Sequence, residues 1–169
     1  MAALILISAC LLGHRVRYDG GTNAHALLMK YHERGQFLAV CPECFALLPV
    51  PRPPMELAHT TGDALLAGRG RAFDRNGLEM TGYLCTGAQK VLKIAEAYEV
   101  KNAILKEGSP SCGVHCVHTG DFDGRKQPGM GVTAALLSSH GIRVYSEKDM
   151  TQELLEELLE RDAESDRPF

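Results

Sequence analysis

Short unbroken apolar runs recur along the chain. Residues 3–8 (Ala-Leu-Ile-Leu-Ile-Ser) offer no alternation of polar and apolar positions, the pattern of a strand buried on both faces. Residues 37–41 read as a second buried strand, and residues 102–106 and 142–145 as a third and a fourth strand. Between the runs the period lengthens. Asn23 is placed to cap a helix running to about Arg34, with Gly35 as its stop. Val91, Leu92, Ala95 and Tyr98 fall at helical spacing within residues 81–98. Residues 132–140 read as a further helix stopped by Gly141, and residues 151–161 as an amphipathic acidic helix before a frayed tail at 164–169. Pro49, Pro51, Pro53 and Pro54 predict a stiff, extended connection. The Gly-rich stretch around residues 60–77, closed by an Asn76-Gly77 turn, reads as a small hairpin or lid. Strands alternating with helices predict an α/β fold, a parallel sheet with helices on both faces, and 169 residues suit a single domain.

Composition narrows the function classes. With 45% hydrophobic and 23% charged residues the chain has the make-up of a soluble globule and not of a disordered segment. A net charge of -3 argues against a generally basic nucleic-acid-binding domain. The longest apolar run is too short to span a bilayer, and no basic segment precedes it as in a signal peptide, so a cytoplasmic location is expected. Thiols stay reduced there, and the six cysteines then point to metal, catalysis or burial in preference to disulfides.

Ligands of open parallel sheets bind beyond the carboxyl ends of the strands. Cys10 follows the first predicted strand, Cys41 ends the second and Cys112 lies in the loop after the third. Neighbouring strands are about 4.8 Å apart, so three thiols leaving their ends could converge on one object. Several holders fit three or four thiols. Cys41, Cys44, Cys112 and Cys116 have the paired spacing of a closed zinc site. Cys41-Pro42-Glu43-Cys44 also has dithiol redox spacing, although such motifs open a helix and a proline run follows here. An iron–sulfur cluster on three cysteines would leave one iron open as a Lewis acid. Spacing alone does not choose among them. Near the same ends stand Glu43, Ser109 and Ser111. Gly129-Met130-Gly131-Val132-Thr133 opens a helix and reads as an anion site, for which Arg15, Arg17 or Arg52 could supply charge. His115 and His118 read as loop residues, and Asp121 and Asp123 as parts of an Asp-Gly turn.

Taken in order, Ile7-Ser8-Ala9-Cys10-Leu11-Leu12-Gly13, Arg17-Tyr18-Asp19-Gly20, Val40-Cys41-Pro42-Glu43, Pro51-Arg52-Pro53-Pro54, Ser109-Pro110-Ser111-Cys112-Gly113 and Gly131-Val132-Thr133-Ala134-Ala135-Leu136-Leu137 make the chain resemble the DUF523 family, whose characterised members are thiouracil desulfidases. The resemblance covers residues 4–147, so residues 1–148 are expected to form the cluster-binding domain and 149–169 an added acidic helix and tail. It implies a Rossmann-like fold. It implies a [4Fe-4S] cluster on Cys10, Cys41 and Cys112, and non-redox removal of sulfur from a thiouracil or thiouridine nucleotide. Glu43 would activate water, and Ser109 or Ser111 would assist by hydrogen bonding. Generic anion chemistry, apart from the resemblance, predicts that the phosphate of a nucleotide substrate is held by the helix entry with Gly131 and Thr133 and by one of Arg15, Arg17 or Arg52. Relatives that act on thiolated tRNA carry a further C-terminal domain that this chain does not show, which favours a free base or nucleotide. Cys44 stands where the family more often has Gln, and Cys85 and Cys116 are additional.

Overall fold

The computed structural model describes residues 4–165, with the side chains beyond residue 160 left aside. Four parallel strands form the central sheet: β1 (Ile5–Ser8), β2 (Phe37–Val40), β5 (Asn102–Leu105) and β8 (Arg143–Ser146), in the order β2-β1-β5-β8. The two inner strands, β1 and β5, are buried throughout because both faces are covered, whereas the edge strands β2 and β8 are partly exposed. Ile5, Ile7 and Ile104 point to one side, where α1 (Ala26–Tyr31) brings Leu28 and Tyr31, and α6 (Gln152–Ser165) brings Leu155, Leu158 and Leu159. Leu6, Ala103 and Leu105 point to the other side. There α4 (Thr81–Ala97) brings Val91 and Ala95, and α5 (Val132–Ser139) brings Ala134 and Leu137. The acidic C-terminal helix is thus part of the sheet's covering layer. Among the described residues no helix is long and apolar enough to cross a membrane.

Two antiparallel ribbons lie beyond the sheet. β3 (Met55–Leu57) pairs with β4 (Ala72–Asp74), and β6 (Cys116–His118) pairs with β7 (Lys126–Pro128). A third apolar cluster, with Leu57, Leu84, Val117 and Val132, fastens them to α4 and α5. The stretch read as a hairpin or lid is different in detail. Its centre is the short helix α3 (Gly62–Leu66), and one strand of the ribbon starts at Met55, directly after the prolines. Asn23 does not cap α1. His25 is the N-cap residue, and Asn23 instead accepts a 2.6 Å hydrogen bond from Arg17 Nη1. The expected tail at 164–169 lies mostly outside the described residues.

One close approach positions the site. Gly87 of α4 faces α2 (Pro42–Phe45), and a Cβ there would lie 2.2 Å from Pro42 O. Gly87→Ala is therefore expected to lower the melting temperature, even though alanine is the better helix former by about 1 kcal/mol. Backbone cannot yield as a side-chain tip can, and overpacking costs about 1–3 kcal/mol. A thermal melt showing equal or greater stability would contradict this packing.

Candidate active site

Three strand ends open into one cavity of about 400 Å³, bordered by Cys10, Cys41 and Cys112. Cys10 lies in the helical turn that follows β1. Cys41 follows β2 and is the N-cap of α2. Cys112 lies in the loop after β5, and that loop is heavily supported. Ser109 Oγ accepts from the Ser111 and Cys112 amides at 3.1 and 2.8 Å. Glu107 Oε1 accepts from the amides of Gly108, Val114, His115 and Cys116 at 2.8–3.3 Å. That last set of bonds holds the Glu107 carboxyl below its ordinary range against the opposing effect of burial. Lys106 Nζ meets Glu147 at 2.7 Å and ties the same corner to the end of β8.

All six cysteines are free. Burial pushes the Cys41 thiol up to about 12. Burial raises Cys112 too, with Cys10, Cys41 and Glu43 adding to the effect and a hydrogen bond with Ser8 opposing it. It also raises Cys10, against a hydrogen bond with Asn23. Three desolvated thiols around one space resist ionising unless positive charge enters it. Soft sulfur donors at the edges of a roomy cavity fit a multi-iron group. Among the described residues no three His, Cys, Asp or Glu side chains are placed to hold a single metal ion.

The closed zinc arrangement is therefore not what the fold builds. Cys44 contacts Cys41, but it borders a separate shallow depression beside Lys90 and Ile94 of α4. Cys116 lies on β6 and does not border the main cavity. The C-x-x-C spacing does open a helix, contrary to the reading from the prolines, because α2 completes its single turn by Phe45.

Glu43 projects from α2 into the cavity wall. Burial raises its carboxyl above the ordinary range, while Arg52 at 3.4 Å pulls it back. Arg52 is 8% exposed and already engaged, its guanidinium donating to Val16 O, Pro49 O and Glu43. Ser109 borders the cavity, whereas Ser111 is wholly buried behind it.

The helix entry expected to bind phosphate is engaged with backbone instead. The amides of Gly131, Val132, Thr133 and Ala134 donate to the carbonyls of Gly113, Pro110 and Ser111 at 2.8–3.2 Å. A Cβ on Gly131 would lie 2.6 Å from Ser111 backbone, and Thr133 is fully buried. This helix entry supports the Cys112 loop, and its amides at residues 131–134 are already engaged. Arg15 is exposed and away from the cavity. Arg17 borders it but is paired with Asp19 and Asn23.

The two ribbons and their flanking loops supply Glu56, Arg75, Phe122 and Lys126, which the sequence reading did not single out, and His118; all five border the cavity. His118 lies on β6, directly across from Lys126 on β7, and is not a loop residue.

The model of the 2-thiouracil desulfurase family matches residues 5–149. The chain belongs to that family. A Bacillus subtilis (strain 168) relative, the uncharacterized protein YbbK, is 37% identical over 147 residues, 87% of this chain and 97% of its own. A solved structure titled [4Fe-4S]-dependent thiouracil desulfidase TudS is 38% identical, with a TM-score of 0.80 over 93% of this chain and 99% of that one. The family match ends where the turn before α6 closes, so the helix that completes one sheet face lies beyond it.

Proposed function

We propose that this chain is a [4Fe-4S]-dependent desulfidase that replaces the sulfur of a thiolated pyrimidine with oxygen and releases sulfide. The observation that carries this is the convergence of Cys10, Cys41 and Cys112 from three strand ends on a cavity that also contains Glu43. The similarity to a [4Fe-4S]-dependent thiouracil desulfidase and membership of the 2-thiouracil desulfurase family support the same reading. A cluster held by the three cysteines would supply an open iron, a Lewis acid suited to a soft thiocarbonyl sulfur.

The reaction is a hydrolysis: a C=S bond and water become a C=O bond and hydrogen sulfide, with no net oxidation. Glu43 takes the proton of the attacking water, and the raised affinity of its buried carboxyl for protons makes it a stronger base than an exposed glutamate. Arg52 fixes the orientation of that carboxylate and favours its ionised form. Ser109 accepts two amides on its oxygen, which leaves its hydroxyl hydrogen free to donate to the oxygen forming on the base.

Metal analysis after anaerobic purification tests the cofactor. Iron with matching acid-labile sulfide is expected, and colourless protein with stoichiometric zinc would refute the reading.

For a nucleotide substrate, Arg75 and Lys126 at the cavity edge replace the misplaced helix entry as phosphate partners. Both are exposed, and neither has an ion-pair partner among the described residues. Lys126→Ala is expected to raise KM for 4-thiouridine monophosphate several-fold while leaving 4-thiouracil unchanged. Equal effects on both substrates would remove Lys126 from phosphate recognition.

A further inference from the structure

Phe122 sits on the connection between β6 and β7, half-buried and bordering the same cavity as the three thiols. Its φ of 54° lies in the left-handed region, which a bulky aromatic residue rarely adopts. Such strain persists only where the surroundings over-determine it. Here they do. Glu56 Oε1, from β3, accepts the amides of Gly120 and Phe122 at 2.9 and 3.2 Å. Glu56 is 9% exposed and has no ion-pair partner among the described residues; both amides meet the same carboxylate oxygen. Gly120 lies flat on β3, where a Cβ would come within 2.7 Å of Leu57 O. The Arg75 guanidinium, just past β4, stands 5.7 Å from the Phe122 ring centroid. Two ribbons distant in sequence thus fix one aromatic ring at the cavity wall.

We propose that Phe122 is the stacking platform for the pyrimidine ring of the substrate, with Glu56 as the positioning residue that aims it. This rests on the desulfidase reading and adds the group that recognises the face of the base. A thiopyrimidine is flat and polarisable, and an aromatic side chain binds such a ring through its face without reading its edge. The product base presents the same face. Stacking therefore holds substrate and product alike, and its loss appears in KM and in product affinity but not in kcat.

The test uses cluster-loaded wild type, Phe122→Leu, Glu56→Ala and Glu56→Gln. Steady-state sulfide release from 4-thiouracil is measured beside calorimetric binding of uracil. Phe122→Leu is expected to raise KM and the uracil Kd together by about tenfold, with kcat and iron content unchanged. Glu56→Ala should follow it. Glu56→Gln, whose amide oxygen still accepts both N–H groups, should stay near wild type. Unchanged KM and Kd in a folded Phe122→Leu protein would overturn the proposal, as would a fall in kcat at constant KM. If wild type released no sulfide, the desulfidase reading would fail separately, and uracil affinity would still decide the role of Phe122.

Discussion

Cys112→Ala, reconstituted anaerobically, is expected to retain no cluster and to release no sulfide. The same holds for Cys10→Ala and Cys41→Ala. Each removes one of three protein anchors, and the cavity offers no replacement, since Cys44 and Cys116 do not border it. The polypeptide should still fold. Cys112 is buried, but the loop that carries it is held by Glu107, Ser109 and the amides opening α5, none of which involves sulfur. Circular dichroism should therefore show a native spectrum beside an absent iron–sulfur absorbance band. Alanine at Cys44, Cys85 or Cys116 should leave iron content near wild type. Full cluster content in Cys112→Ala, or its loss in Cys116→Ala, would reassign the ligands.

Glu43→Gln is expected to keep the cluster and lose turnover on the order of 100-fold or more. The substitution preserves volume and still offers an oxygen to Arg52, so the pairing at the base of the cavity survives without the base itself. The pH profile carries the same information. A general base works ionised, so the wild-type rate should rise with pH through the Glu43 pKa. Burial places that rise above the range of an ordinary exposed carboxylate, although Arg52 limits the displacement. In Glu43→Gln this limb should vanish. Near-wild-type sulfide release per intact cluster would reject the catalytic role.

The inner strands β1 and β5 were legible because they are buried on both faces, and a short apolar run leaves few other interpretations. The strand ends then located the three thiols, as the general rule for parallel sheets requires. The ribbons were not legible. β3, β4, β6 and β7 have three residues each, too few for a period to show, and Lys126–Pro128 is polar throughout. With them went the outer wall of the cavity. Glu56 and Phe122 are 66 positions apart, and no local pattern links a buried acid to the loop it holds. The helix entry at Gly131 shows the opposite error. Its glycines invite an anion, but Gly131 is needed for contact with the Ser111 backbone, and the carbonyls of Pro110, Ser111 and Gly113 take the amides first. A local motif reports that backbone donors are exposed in the isolated segment; only the fold decides what fills them.

The most direct test of the account is the stoichiometry of the reaction in a closed anaerobic vessel. Cluster-loaded protein is given 4-thiouracil with no added reductant or oxidant, and uracil and sulfide are both quantified. The account predicts equal amounts of the two over many turnovers, lost together when the iron is chelated. Uracil formation that persists after iron removal, or that stops unless a reductant is supplied, would contradict it.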